Sequence, residues 1–152
     1  MEELTLSLGA GYLDTEFRRF STIDDTRREL GVLDLSGNRL SYSPRWTASS
    51  TIRYDVDLPS GKLSPYVDAN WTGKVYFSPF NVDRMAQEGY FLLGAGVTYT
   101  TDSGWRFQVN GRNLTDKTYI TGATISGEIV GFPILGQYSA PRTVEFTVGR
   151  SF

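Results

Sequence analysis

Neither cysteine nor histidine occurs among the 152 residues, which removes most of the chemistry a chain of this size could carry. Without them a Ser-His-Asp or Cys-His nucleophile cannot be assembled, and the usual zinc ligand sets are unavailable. A disulfide framework is excluded too, which fits the cytosol and the envelope equally. No apolar run reaches the roughly 18 residues of a transmembrane helix. A basic excess is also lacking: 15 Lys and Arg stand against 17 Asp and Glu, with no basic stripe, so no nucleic-acid partner is expected. The amino terminus carries no positive segment leading into an apolar stretch, so no signal peptide is expected. Such a chain is either not exported or a piece of a longer one.

What is present is glycine, at 16 residues, and aromatics, at 14%, distributed with a period of two. Glu3 to Phe17 sets Leu4, Leu6, Leu8, Ala10 and Tyr12 against Thr5, Ser7, Gly9 and Gly11, the pattern of a strand with one oily face. Arg18 to Tyr42 has charge clusters and no sustained period, and is predicted as a long loop. A second strand sets Trp46, Ala48, Ile52, Tyr54 and Val56 against Arg45, Thr47, Ser49, Thr51, Arg53 and Asp55, and Asp57 to Gly61 turns it tightly. Leu63 to Phe77 continues as a third, longer than most soluble strands. After a medium loop, Ser78 to Glu88, a fourth strand carries Phe91, Leu93, Ala95, Val97 and Tyr99 on one side. Asp102-Ser103-Gly104 turns it into a fifth, with Trp105, Phe107 and Val109 opposing Arg106, Gln108 and Asn110. Thr121 to Ser139, including Ile125 and Ile129, has no clean period and is predicted as a loop. A last strand runs from Pro141 to the terminal aromatic, with Val144, Phe146, Val148 and Phe152 on one face.

The fold class is therefore all-β, an antiparallel up-and-down meander of about six long strands whose connections alternate long and short. A transmembrane barrel has that alternation, with short periplasmic turns and long outer loops, and its polar lumen explains a negative mean hydropathy. Trp46 with Tyr54, and Phe91 with Tyr99, stand eight residues apart on their oily faces. That is close to the 9 to 11 residues a tilted strand needs to cross. Tyr54, Tyr99, Trp105 and Phe152 are expected in the periplasmic aromatic belt, and Trp46, Phe77 and Phe91 in the outer one.

Gly9-Ala-Gly11 and Gly94-Ala-Gly96 begin like a nucleotide fingerprint but lack the third glycine and a following helix, so relief of crowding in strands is the simpler reading. Asp55, Asp57 and Asp68 alternate with hydroxyls and amides like an ordinary wet wall. Asp24-Asp25 reads as a solvated loop rather than a cation site. No enzyme activity, catalytic residue, metal or cofactor is expected.

Asn113-Leu114-Thr115-Asp116-Lys117, ending at Tyr119, then Ala140-Pro141-Arg142 and the last strand, resemble the carboxyl-terminal signature of TonB-dependent outer-membrane receptors. Gly9 to Asp14, and Leu35 to Leu40 before Ser43-Pro44-Arg45, are similar to further blocks near the end of such receptors. The resemblance implies that residues 1–152 are the last six strands of a 22-stranded barrel in the outer membrane of a Gram-negative bacterium. The parent would import a bulky nutrient such as a ferric siderophore. The amino-terminal plug and the TonB-contacting box have no counterpart here. Implied partners are outer-membrane lipid, the remaining strands and plug of the parent, the TonB complex through its amino-terminal part, and the barrel-assembly machinery. Phe146, Val148 and Phe152 would form the assembly signature. Two places before the terminal Phe, where the family has an apolar or aromatic residue, stands Arg150. Such a charge costs about 0 to 1 kcal/mol at the interface and can snorkel. The alternatives are a complete small β-barrel binding module of lipocalin-like kind, with its oily faces turned inward, or a small outer-membrane barrel. Ligand contact is expected within Arg19 to Arg39, Phe80 to Glu88 or Gly122 to Tyr138, and not at Pro59 or Ser103.

Overall fold

The computed structural model describes residues 3–127 and 130–151. Phe152 and Ile129 therefore lie outside the described residues.

Alternation of residue type produces the elements it predicts. The main sheet contains β1 (Glu3–Tyr12), β4 (Trp46–Leu58), β5 (Gly61–Thr72), β8 (Tyr90–Thr101), β9 (Trp105–Arg112) and β12 (Thr143–Arg150). Its order is β1-β4-β5-β8-β9-β12, with every neighbouring pair antiparallel. The sheet is a meander in which β1 and β12 each have one neighbour.

Short connections lie at one end. Leu58 pairs with Gly61 across Pro59-Ser60, and Asp102 to Gly104 joins β8 to β9. Gly61 is required there: its φ is 152°, and an added Cβ would lie 2.2 Å from the Thr100 carbonyl oxygen. The Asp102 amide donates to Ser60 O at 3.2 Å, tying the two turns together.

Pro65 lies in β5, an interior strand, where its missing N–H removes a ladder bond. The ladder to β8 continues through Pro65↔Val97, while pairing with β4 is interrupted between Arg53↔Tyr66 and Val56↔Leu63. Polar side chains cluster beside this break. Buried Asp55 receives Arg53 at 2.9 Å, Lys62 at 3.0 Å and the Ser64 hydroxyl.

At the other end the structure departs from the sequence reading in four places. β1 stops at Tyr12 instead of Phe17: the Leu13 amide makes one more bond in register, to Arg45 O at 2.9 Å, and the Phe17 amide bonds Asn38 O at 2.9 Å within the long connection. The predicted loop 18–42 contains a small hairpin, β2 (Ser21–Ile23) and β3 (Val32–Asp34), around a 3-10 segment Asp25–Leu30 kinked at Arg27. The third strand ends at Thr72, not Phe77: the Gly73 amide makes a last bond in register, to Trp46 O at 2.9 Å, and the Phe77 amide turns to Met85 O at 2.8 Å. Beyond it β6 (Val75–Tyr76) pairs with β7 (Ala86–Gln87), after a 3-10 turn at Asp83–Met85. The predicted loop 121–139 holds β10 (Ile120–Ile125) and β11 (Ile134–Tyr138), an antiparallel pair with a bulge between Ile120 and Gly122.

The buried apolar side chains among the described residues are Leu35, Phe77 and Met85, all in the connections at this end. Phe77, expected in an outward aromatic belt, is instead buried beside Tyr42 (ring centroids 5.4 Å). The sheet itself has no covered core: Leu8 is 75% exposed and Phe146 76%.

Candidate functional site

Register, rather than any one strand, gives the sheet its two faces. Ile52 pairs with Leu6 and Val67, Val67 with Ala95, Ala95 with Gly111, and Gly111 with Val144. Directly paired residues point the same way, so one apolar row crosses all six strands. Aromatics bound that face in two rows. Towards the long connections Tyr12 lies against Trp46, with ring centroids 4.5 Å apart, and Trp71 pairs with Phe91. Towards the short turns stand Tyr54, Tyr99, Phe107 and Trp105, with Trp105 and Phe107 stacked at 6.2 Å. The Tyr99 hydroxyl bonds that of Ser60 at 2.8 Å. Eight residues separate Trp46 from Tyr54 and Phe91 from Tyr99, about 27 Å along an antiparallel strand. On β12, Val148 and Phe146 are exposed on this face, and the Arg150 guanidinium lies 5.1 Å from the centre of the Trp105 ring. Arg150 thereby keeps a charge at the aromatic row by cation–π contact.

The opposite face is polar and hydrogen-bonded laterally. Tyr66 donates to Asn110 Oδ1 at 3.0 Å, Gln108 donates to the same oxygen at 3.1 Å, and Asn70 donates to Asp68 at 3.1 Å. Gly94 and Gly96 make room for this: a Cβ on Gly94 would meet Asp68 Oδ1 at 2.4 Å, and one on Gly96 would meet Asn110 and Tyr66 at 2.6 Å. Asp55 is neutralised by Arg53 and Lys62, and Asp68 bonds an amide, so neither forms a carboxylate pair of the kind general acid and base catalysis uses.

The three long connections interlock at one end of the wall. Asn81, at φ 51°, accepts from the Arg39 amide at 2.7 Å and donates to Arg39 O at 2.9 Å. Asn38 donates to Pro79 O at 2.9 Å, and the Tyr42 amide to Tyr76 O at 2.8 Å. The third connection joins through the Ile120 amide, which donates to Gln87 Oε1 at 2.8 Å, and through Tyr90 stacked on Tyr119 at 4.1 Å. Lys74 bridges Asp83 at 2.6 Å and Glu88 at 2.7 Å, and those two hydrogen bonds hold its ammonium well above the usual lysine range. A cavity of about 370 Å³ lies where the three connections meet, lined by Asp24, Arg28, Phe80, Ile125 and Phe132 among others.

Of Asp24 and Asp25, read from the sequence as a solvated loop, only Asp25 is exposed. Asp24 is 3% exposed and caps the 3-10 segment, accepting from the Thr26 amide at 3.0 Å, the Thr26 hydroxyl at 2.7 Å and Arg27 Nε at 2.9 Å. Burial pushes its carboxyl upward, but the bonds from Thr26 and Arg27 outweigh it and leave the group below the usual range. Asp25 bridges Arg28 at 3.0 Å. Among the described residues no group of three or more acidic side chains is placed to hold a metal ion. Asn81, Asn38 and Gln87 had no sequence signal as linkers, since their partners lie in other loops. Asn113 and Asp116 had one, as members of the family signature, but not its mechanical meaning.

The family described as "TonB dependent receptor-like, beta-barrel" matches residues 3–114. The ferric-pyoverdine M114 receptor PbuA of Pseudomonas sp. (strain M114) is 29% identical over 148 residues, 97% of this chain and 16% of that protein. Among solved structures, the ferric yersiniabactin uptake receptor FyuA from Yersinia pestis superposes with a TM-score of 0.67 at 26% identity, over 75% of this chain and 17% of that one. The siderophore receptor PiuA from Acinetobacter baumannii gives 0.73 at 24% identity, over 95% and 19%. The chain spans 15% to 19% of the length of the relatives and solved receptors it matches.

Proposed function

Because the chain belongs to the TonB dependent receptor-like β-barrel family, we propose that its sheet is a stretch of the wall of an outer-membrane receptor that takes up a ferric siderophore. Residues 1–152 form the carboxyl-terminal part of that barrel. The apolar face lies against lipid, with Trp46 and Phe91 at the outer interface and Tyr54, Tyr99 and Trp105 at the periplasmic one. The polar face lines the interior, next to a plug supplied by the rest of the receptor, and β1 and β12 pair with its remaining strands. Energy arrives from the TonB complex through the plug-bearing part. Phe146 and Val148, with Phe152, are offered to the barrel-assembly machinery.

The observation that carries this reading is the apolar row running across all six strands, exposed at Leu6, Ile52, Val67 and Val144. In water such a face is a large unburied patch, whereas in a bilayer it is the required outer surface of a barrel, with polar residues alternating to the lumen. A small barrel closed on itself fits less well, since β1 and β12 are not neighbours. The pyoverdine, yersiniabactin and siderophore receptors among the relatives support the substrate class. Transport rather than chemistry is the function of this family, and the polar face offers hydrogen bonds rather than a catalytic constellation.

Deleting the gene should abolish uptake of one radiolabelled ferric siderophore under iron limitation. A plasmid copy should restore that uptake, except in cells lacking TonB. Unchanged uptake of a panel of ferric catecholate, hydroxamate, phenolate and mixed siderophores in the deletion strain would reject the proposal.

A further inference from the structure

The hairpins of the sheet differ in what can hold their register. In β4–β5 the two residues Pro59 and Ser60 suffice, because a tight turn dictates which residues face each other. The β9–β12 connection is 30 residues long, from Asn113 to Arg142. Its β10–β11 hairpin brings Tyr119 to Ser139, where the Ser139 amide donates to Tyr119 O at 2.9 Å. The segments 113–118 and 140–142 that join this hairpin to β9 and β12 have no tight turn to fix the pairing, and a residue more or less in such a segment changes its closure cost very little. Yet a slip matters greatly: by one residue it turns every side chain of β12 to the wrong face, and by two it carries Arg150 away from Trp105.

At the base of this connection the side chains do what a turn does elsewhere. Asn113 follows the last residue of β9 and Arg142 precedes the first of β12, where Arg112 pairs with Thr143. Asn113 Oδ1 accepts from the Lys117 amide at 2.9 Å, and its Nδ2 donates to Lys117 O at 3.0 Å and to Ala140 O at 3.2 Å. Asp116 Oδ1 accepts from the Arg142 amide at 2.8 Å. Asn113 and Asp116 have φ of 51° and 52°, a region short polar residues tolerate better than others. The platform is itself anchored: the Leu114 amide donates to Leu93 O at 2.8 Å, and the Leu114 side chain occupies the space a Cβ on Gly111 would fill. We infer that Asn113 and Asp116 form a clamp that sets the register of β12 on β9. The acceptor on Asp116 selects Arg142 as the residue that leads into the ladder at Thr143, and the Asn113 amide closes the other side through Ala140.

The chain has no cysteine, so paired cysteines can read the register directly in outer membranes of cells making an otherwise cysteine-free form of the full receptor. Gln108→Cys with Thr147→Cys marks the observed register, and Gln108→Cys with Glu145→Cys marks a two-residue slip. Facing residues lie about 4.5 to 5.5 Å apart and diagonal ones about 7 to 8 Å, and a disulfide forms only at the shorter spacing. With the clamp intact, the first pair links and the second does not. Asn113→Gly with Asp116→Gly removes both side chains while permitting positive φ, and the ratio of native to slipped link should fall about tenfold or more. Asp116→Asn keeps the acceptor and should keep the ratio. An unchanged ratio in the double glycine variant overturns the clamp. If that variant does not reach the membrane, assembly decides: Asp116→Asn must assemble where Asp116→Gly does not, and equal failure of both overturns it. Register is read whether or not any siderophore is taken up, so this test and that of the transport reading fail separately.

Discussion

Ile52 and Thr51 are adjacent in β4 and belong to different environments. Ile52 sits between Leu6 and Val67 in the apolar row, six residues from Trp46 and two from Tyr54, while Thr51 pairs with Ser7 and Asp68 on the polar side. Ile52→Arg should cost about 1 to 2 kcal/mol, between the roughly 0 to 1 of a guanidinium at the interface and the 2 to 4 of one on the lipid face at the midplane, and reduce folded receptor in the membrane fraction. Thr51→Arg should leave that amount unchanged, since it places a cation beside the Asp68 carboxylate in a wet lumen. Equal losses for both substitutions, measured by heat-modifiable mobility of the barrel, would show that the faces are assigned wrongly. At this scale the sequence was a good guide wherever alternation held, because side-chain direction in a strand follows parity alone. It misled at Phe77, whose parity matches Trp71 but whose strand has already ended: parity carries no meaning beyond Gly73, where the pairing with β4 stops, and the Phe77 amide bonds Met85 O instead. It read Asp55 as part of a wet wall, whereas the carboxylate is buried among Arg53, Lys62 and the Ser64 hydroxyl, partners that alternation does not specify.

Elements were legible in proportion to their length. The six long strands each show several repeats of the period, and their turns carry proline, glycine and aspartate chemistry. β2 and β3 have three residues each, fewer than two periods, and β10 has a bulge that reverses its parity after one residue. The cross-links between connections were not legible, because they join groups 41 and 42 residues apart through amides that any exposed asparagine could offer. They make the first and second connections one mechanical unit. Asn81→Ala removes both bonds to Arg39 and strains a residue at positive φ, a loss of roughly 1 to 3 kcal/mol. Amide hydrogen exchange should then accelerate together in residues 35–42 and 76–87, with the β8–β9 amides unaffected. Acceleration confined to the second segment would mean that the two connections move independently.

As a whole molecule the chain has an outside and an inside but no closure. Its six strands fall short of the eight in the smallest membrane barrels, and the open backbone edges of β1 and β12 are expensive in hydrocarbon and adhesive in water. Expressed alone in detergent-free buffer, the 152 residues should therefore aggregate or associate through those edges. A monodisperse, cooperatively melting monomer by light scattering and circular dichroism would argue instead for a self-sufficient barrel. The placement of the three tryptophans has a consequence for optical work. Trp46, Trp71 and Trp105 all project from the same face, two near one margin and one near the other. Their emission should report the acyl environment and nothing of the interior. Brominated phospholipids should quench all three, at depths that separate Trp105 from the other two, while iodide admitted to the lumen should leave them bright, so this stretch of wall carries its own fluorescent gauge of how deep it sits.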